Sequence, residues 1–132
     1  MSAESLSTNC LTAMLLVEIP KRFPGARCWR NNVGSGLPIA AVRTAMNHLH
    51  AGRIPQALGV LSSRPVHFGI KGQADISGVV AGGRRVEVEV KVGPDRMRED
   101  QEAFRAMILR AGGIHVIARD LEQAIKDIEA QL

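Results

Sequence analysis

Residues Asp75 to Gln101 read DISGVVAGGRRVEVEVKVGPDRMREDQ, and this stretch decides the fold of the chain. Its centre alternates strictly, with valine at positions 86, 88 and 90 and a charged residue at positions 87, 89 and 91. A period of two over a valine-rich run predicts a strand with one buried face. The Gly-Gly pair at 82–83 predicts a turn that forms an antiparallel hairpin with the apolar run after Asp75. We therefore expect Asp75 to lie near Glu89, with Lys91 beside Glu89 on the same face.

Two carboxylates and a lysine that meet at a sheet edge can perform a definite chemistry. Asp75, Glu89 and the Val90 carbonyl are oxygen ligands suited to one hard divalent cation, Mg²⁺ or Mn²⁺. Such a cation lowers the pKa of a bound water and neutralises charge that develops on a phosphate, while Lys91 orients or helps deprotonate that water. This arrangement predicts hydrolysis of phosphodiester bonds. The simpler alternative is an amphipathic hairpin whose outer face is solvated and carries Glu and Lys as an ion pair.

The length and composition indicate one globular domain. The 132 residues suffice to bury one core, and 45% of them are hydrophobic. The opening MSAESLSTNC lacks a charged n-region, and the apolar run at 11–17 is too short for a signal peptide or a membrane span. Cys10 and Cys28 have no metal-ligand spacing and fit reduced thiols. We therefore expect a cytoplasmic protein that contacts no membrane.

Charge is distributed unevenly along the chain. Residues 1–74 carry 8 Lys/Arg and 2 Asp/Glu, whereas residues 75–132 carry 9 and 11. Arginine outnumbers lysine by 13 to 4, and arginine binds phosphate in a bidentate manner. This pattern favours a nucleic-acid partner held by the basic N-terminal half and a metal held by the acidic C-terminal half. With 3% aromatic residues, base stacking is not the expected mode of binding.

The segments around the hairpin complete an α/β pattern. A helix is predicted over Leu6–Phe23, and Glu18 falls on the stripe of this helix that should be buried. Such an acid needs a cation, an arginine or a metal as its partner, unless it lies at the edge of the stripe and reaches solvent. The other predicted elements are, in chain order, a strand at 26–31 with Cys28 and Trp29 facing inward, a loop at 32–38, a helix at 39–50, a helix at 97–111 with Gln101 beside its apolar stripe, a strand at 114–118 and a helix from 120 to 132. Residues 51–65 show no clear period and are not expected to form a long element.

This order of elements predicts an α/β fold in which helices flank a mixed central sheet. The pattern G-x-x-D, a Gly-rich turn, V-E-V-K and then Gln on the next helix resembles the VRR-NUC domain, the virus-type replication-repair nuclease family of the PD-(D/E)XK superfamily. The resemblance covers residues 69–125 best, and more loosely Glu18 and Arg30-Asn31-Asn32. The family's P-D is Ala74-Asp75 here, and residues 33–68 are a variable segment without a match. The resemblance implies a single nuclease domain over 1–132 with a restriction-endonuclease-like αβββαβ core.

The resemblance also implies roles for individual residues. Asp75 and Glu89, with the Val90 carbonyl, would be the metal ligands, and Lys91 would act on the water. Gln101 would support the site or contact phosphate. Glu18 would be an outer ligand or a ligand to a second metal. The expected DNA contacts are Arg30, Asn32, Lys71, Arg98 and Arg105.

The expected function is a metal-dependent endonuclease on branched DNA such as four-way (Holliday) junctions. Stand-alone members of the family are bacterial or phage-encoded and act as homodimers, and symmetric cutting of a junction requires two active sites. Two alternatives remain open. One is a catalytically silent module of the same fold that binds DNA by shape, and the other is a nuclease that acts on flaps or linear duplex.

Overall fold

The computed structural model describes residues 6–132 and confirms an α/β fold with a mixed sheet flanked by helices. The elements are α1 (Thr8–Arg22), β1 (Arg27–Arg30), β2 (Gly34–Gly36), α2 (Ile39–His50), α3 (Ile54–Leu61), β3 (Val66–Phe68), β4 (Ile76–Val79), β5 (Arg85–Val90), α4 (Glu99–Arg110), β6 (Ile114–Ala118) and α5 (Leu121–Gln131). The chain divides into two compact units, one formed by residues 33–69 and the other by the segments on either side of it. Across residues 6–132, no helix combines the length and apolar character needed to cross a membrane.

The larger unit contains a four-stranded sheet in the order β1-β4-β5-β6. The predicted hairpin is present, because β4 and β5 are antiparallel with Ile76 opposite Val88. Strand β6 runs parallel to β5 and forms the outer edge of the sheet. The three valines of β5 belong to the main core together with apolar side chains of α1 and α5, such as Leu15 and Ile128. Helices α1 and α5 therefore cover the valine face.

The opposite face of β5 is also buried, although the alternation predicted only one buried face. Every residue from 86 to 91 is buried, and Glu87 is 0% exposed. Helix α4 covers this charged face, and its Phe104 and Ile108 form a second small core with Ala74. The alternation therefore reports two faces of different polarity, not one face in water. The solvated amphipathic hairpin is wrong for this chain.

Helix α1 matches its prediction closely, and Ser7 is its N-cap, accepting a hydrogen bond from the Cys10 N–H at 3.2 Å. The inward position predicted for Trp29 is wrong, because β1 is an edge strand and Trp29 is 46% exposed. Cys28 is half-buried and packs against the main core. Burial raises the pKa of its thiol.

The loop predicted at 32–38 contains strand β2, which pairs with β3 in a second, two-stranded sheet. The sequence Gly-Ser-Gly gives no apolar alternation by which such a strand could be recognised. The segment 51–65, in which no period was visible, contains the eight-residue helix α3. Pro55 lies in the first turn of α3, where a missing N–H costs nothing.

Gly72 lets the loop before β4 pass directly against the first turn of α4. Its φ is +79°, and a Cβ at this position would lie 2.1 Å from the carbonyl oxygen of Asp100. We expect Gly72→Ala to lower the free energy of unfolding by about 2–4 kcal/mol, from left-handed backbone strain plus overpacking. Gly82→Ala is the matched control, because Gly82 has a φ of +87° but open space around its Cα. Urea unfolding measures both, and equal losses in the two variants would contradict the proposed clash.

Candidate active site

Four of the predicted catalytic residues meet where β4 begins and β5 ends. The Val90 N–H donates to Asp75 Oδ2 at 2.8 Å. Gln101 Nε2 donates to Glu89 Oε1 at 2.6 Å, and Lys91 Nζ lies 3.3 Å from the same oxygen. The structure therefore places Asp75, Glu89, Lys91 and Gln101 around one point on the α4 side of the sheet.

Strand register and helix capping explain this convergence. Because Ile76 pairs with Val88, the preceding Asp75 arrives beside the end of β5. Gln101 is the third residue of α4, and its Oε1 accepts a hydrogen bond from the Arg98 N–H at 2.9 Å. This capping interaction fixes which end of the amide faces the sheet, so that the NH₂ group points at Glu89.

Burial and a neighbouring acid, Asp75, both disfavour the charged form of Glu89. Burial raises the pKa of Glu89 to about 7, the negative charge of Asp75 adds to this rise, and Lys91 and Arg98 oppose it. Glu89 and Lys91 are each 3% exposed, so their charges are weakly screened by water. A positive charge between the two carboxylates would offset the cost of burying the ionised Glu89 and the repulsion between Glu89 and Asp75.

The residues present fit a hard divalent cation. Asp75 and Glu89 are oxygen donors that lie close enough to repel each other, and the Val90 amide already holds Asp75 in place. The N–H and C=O of a strand residue point to the same side, so the Val90 carbonyl also faces Asp75. Within residues 6–132, no group of three His, Cys, Asp or Glu side chains converges. A cation here would therefore be held by two carboxylates together with main-chain and water oxygens.

The structure does not bring Glu18 to this group. Helix α1 packs on the valine face of the sheet, and Glu18 forms ion pairs on its own helix with Lys21 Nζ and Arg22 Nε, both at 3.1 Å. Hydrogen bonds from Lys21 and then Arg22 lower the pKa of Glu18. Of the alternatives open for this acid, the structure shows cationic partners, Lys21 and Arg22, and a Glu18 side chain that is still 19% exposed. The metal-ligating role of Glu18 stays a prediction without a supporting contact.

The predicted DNA contacts occupy different positions around the site. Lys71 and Arg98 are exposed and line one open cavity of about 600 Å³ beside the first turn of α4. Arg30 and Asn32 are exposed at the end of β1, where Arg30 pairs with Ile76 next to Asp75. Arg105 lies one turn beyond Gln101 on α4 and lines a different cavity.

A buried polar network beneath the site was missed by the sequence reasoning. The Asn31 N–H donates to the Asp75 carbonyl at 2.8 Å, and Asn31 Nδ2 donates to Ser77 Oγ at 2.5 Å. Ser77 Oγ donates to Glu87 Oε2 at 2.8 Å, and Arg85 Nε donates to the other oxygen of Glu87 at 2.5 Å. Ser77 and Glu87 are both 0% exposed, and burial raises the pKa of Glu87. The network fixes the chain on either side of Asp75.

One signal for this network was present in the sequence. Glu87 lies on the same face of β5 as Glu89 and Lys91. If Glu89 and Lys91 are buried in a site, Glu87 is therefore expected to be buried as well. Its partner Ser77 lies directly opposite in the hairpin register. Asn31 gave no such signal, because it joins the network from 46 residues away.

Comparison of the chain with protein-family models, with curated proteins and with solved structures finds no match. The resemblance to the VRR-NUC family therefore stays a prediction. It rests on the sequence pattern given above, and the structure brings four of its residues, Asp75, Glu89, Lys91 and Gln101, together.

Proposed function

We propose that this chain is a Mg²⁺- or Mn²⁺-dependent endonuclease that hydrolyses phosphodiester bonds in DNA, selectively in branched DNA such as four-way junctions. The observation that carries the proposal is the convergence of Asp75, Glu89, Lys91 and Gln101 on a covered face of the sheet. A carboxylate with a pKa of about 7 is costly to bury, and such groups concentrate at functional sites. A merely structural strand would be more stable with apolar residues on this face.

Each residue has a role that its geometry allows. Asp75, Glu89 and the Val90 carbonyl would hold the cation, which supplies a water of lowered pKa and neutralises charge on the phosphate. Gln101 holds the Glu89 carboxylate in one orientation. Lys91 Nζ lies 3.3 Å from Glu89 Oε1 and would orient the attacking water and stabilise negative charge on the phosphate oxygens.

The surroundings of the site suit a polyanionic substrate. The side chain of Arg98 is 70% exposed, and with the exposed Lys71 it places two cations at the start of α4, next to Gln101. Exposed cations beside a cleft attract and position phosphates. The carboxylates Glu99 and Asp100 in the same cavity limit this attraction. Binding of the DNA backbone would therefore depend on several weak contacts.

The compact unit 33–69 supports a homodimer. All of its residues are described, and of these only Ala45 and Ala57 are buried hydrophobics. Its exposed large apolar side chains are Val33, Ile39, Met46, Leu49, Ile54, Leu58, Leu61, Val66 and Phe68. An apolar surface of this kind is typical of an interface. We assign it to a second copy of the chain, because symmetric cutting of a junction requires two sites.

A single substitution tests the dimer. Leu58 is 58% exposed on α3, and we expect Leu58→Glu to convert a dimer to a monomer in sedimentation experiments, because it would bury a charge in the interface. Gln56→Glu on the same helix is the matched control for the added charge. A wild-type chain that sediments as a monomer, both alone and with junction DNA, would rule out the dimer.

The activity is tested by cleavage of a 5′-labelled four-way junction beside a matched linear duplex, with Mg²⁺, with Mn²⁺ and with EDTA. We expect symmetric cuts in the junction only, and only with metal. Equal cutting of both substrates would keep the nuclease and remove the junction selectivity. Salt-sensitive binding without cutting under either metal would favour the silent DNA-binding module.

A further inference from the structure

A second site lies away from the four residues above, at the outer edge of the sheet. A cavity of about 360 Å³ opens there between α4, β6 and α5, and Arg105, His115 and Asp127 each contribute to its lining. The backbone of β6 is fixed at this point, because the side-chain amide of Gln131 bonds both the N–H and the C=O of His115, at 3.2 and 3.1 Å. The cavity is therefore built on a rigid strand.

Two nitrogen atoms of residues that line this cavity have unused hydrogen-bonding capacity. Among residues 6–132, Arg105 Nε and His115 Nδ1 are the buried side-chain atoms without a hydrogen-bond partner. His115 is 2% exposed, and its ring meets the ring of Phe104 edge-on at 6.4 Å between centroids. Leaving a buried polar nitrogen unpaired costs about 1–3 kcal/mol, which a ligand with oxygen acceptors would recover.

The charge of Arg105 is only weakly compensated. Burial, and then the positive charge of Arg105, lower the pKa of His115 to about 4, so the ring is neutral beside a cation. Among residues 6–132 the acid paired with Arg105 is Glu102, whose carboxylate is 3.9 Å from the guanidinium and 53% exposed. Asp127 lines the same cavity but forms no ion pair with Arg105 among the described residues, and it accepts a hydrogen bond from Gln123 instead.

We propose that this cavity binds a phosphate group, whose oxygens accept hydrogen bonds from Arg105 Nε and from His115 in its Nδ1–H tautomer. Arginine binds phosphate oxygens strongly, and a second N–H on the same anion adds to the affinity. Asp127 lines the same cavity, and its negative charge would oppose the anion. The phosphate could belong to a DNA backbone or be free in solution. Phosphate binding in this cavity does not require the nuclease activity.

The test uses inorganic phosphate and the His115 ring as its reporter. Replacement of His48, His50 and His67 by glutamine leaves His115 as the only histidine, so that ¹⁵N resonances of its ring are unambiguous. We expect saturable shifts of these resonances as phosphate is added. Arg105→Gln should raise the apparent Kd by at least about tenfold, since a charge-assisted hydrogen bond is lost. Arg110→Gln, on the same helix but outside the cavity, should leave the Kd unchanged.

Asp127→Asn provides a result of opposite sign. It removes the opposing charge, so phosphate should bind severalfold more tightly. Unchanged or weaker binding of phosphate to Asp127→Asn would contradict the proposal. A duplex oligonucleotide added in EDTA then separates the two sources of phosphate, because only a backbone contact would produce the same shifts. An absence of shifts at tens of millimolar phosphate, or equal shifts in Arg105→Gln, would overturn the proposal and leave the cavity to water.

Discussion

Replacement of Lys91 by methionine is expected to abolish metal-dependent cleavage. Methionine keeps most of the buried stem of a side chain that is 3% exposed, but it removes the ammonium group 3.3 Å from Glu89 Oε1. Loss of a group that orients water and stabilises charge costs on the order of 10²–10⁴ in kcat. DNA affinity in EDTA should change little, because Lys91 is 3% exposed and contributes little to the charge of the surface that DNA would contact. The measurement is single-turnover cleavage of a junction beside binding in EDTA.

Lys126→Met is the matched control, because Lys126 is an exposed lysine on α5. It should cleave at the wild-type rate. Thermal unfolding of both variants separates a chemical defect from a folding defect, since Lys91 also neutralises a buried acid. A Lys91→Met chain that is folded and cleaves within a few-fold of wild type would remove Lys91 from the mechanism.

The second large effect is expected from Glu89→Gln, which should abolish cleavage and at the same time stabilise the metal-free protein at high pH. The pKa of Glu89 is about 7 in the folded chain and 4.5 in an ordinary setting, so the folded state binds this proton more tightly than the unfolded state. Stability of the wild type therefore falls as the pH rises from about 4.5 through 7. The size of that loss is on the order of 3 kcal/mol. A glutamine at position 89 does not titrate and keeps an oxygen that accepts the hydrogen bond from Gln101. The Glu89→Gln variant should therefore not lose stability as the pH rises.

Urea unfolding at pH 5 and pH 8 measures this difference, with Glu129→Gln as an exposed control on α5. Addition of Mg²⁺ at pH 8 should stabilise the wild type by mass action and leave Glu89→Gln unaffected. The same variant should bind no metal. If wild type and Glu89→Gln lose stability in parallel between pH 5 and pH 8, then Glu89 is not the group that titrates.

Local pattern was sufficient to predict that Asp75, Glu89 and Lys91 lie together, but not which element covers them. The period of two located β5, and the Gly-Gly turn brought Asp75 to Glu89, because both are short-range properties of one hairpin. The prediction of one buried face was wrong, because alternation shows only that two faces differ. What lies over each face depends on where α4 packs, and this is a long-range property that periodicity does not encode.

The same reason explains the other misses. Asn31 and Ser77 are separated by 46 residues in sequence and share one hydrogen bond, so nothing near either residue marks the pair. Strand β2 consists of Gly-Ser-Gly and contains no large side chain. Helix α3 begins at Ile54 directly before Pro55, and a proline near the start of a helix is compatible with the helix as well as with a break.

The amide of Gln131 on the backbone of His115 has a consequence for self-association. Gln123, eight residues earlier on α5, bonds the Ile117 carbonyl at 3.2 Å and the Arg119 N–H at 3.0 Å. The two glutamines therefore imitate a neighbouring strand along the outer border of the sheet. An unprotected border of this kind recruits strands from other molecules and leads to aggregation. Helix α5 covers this edge, so the edge is not open to strands of other molecules.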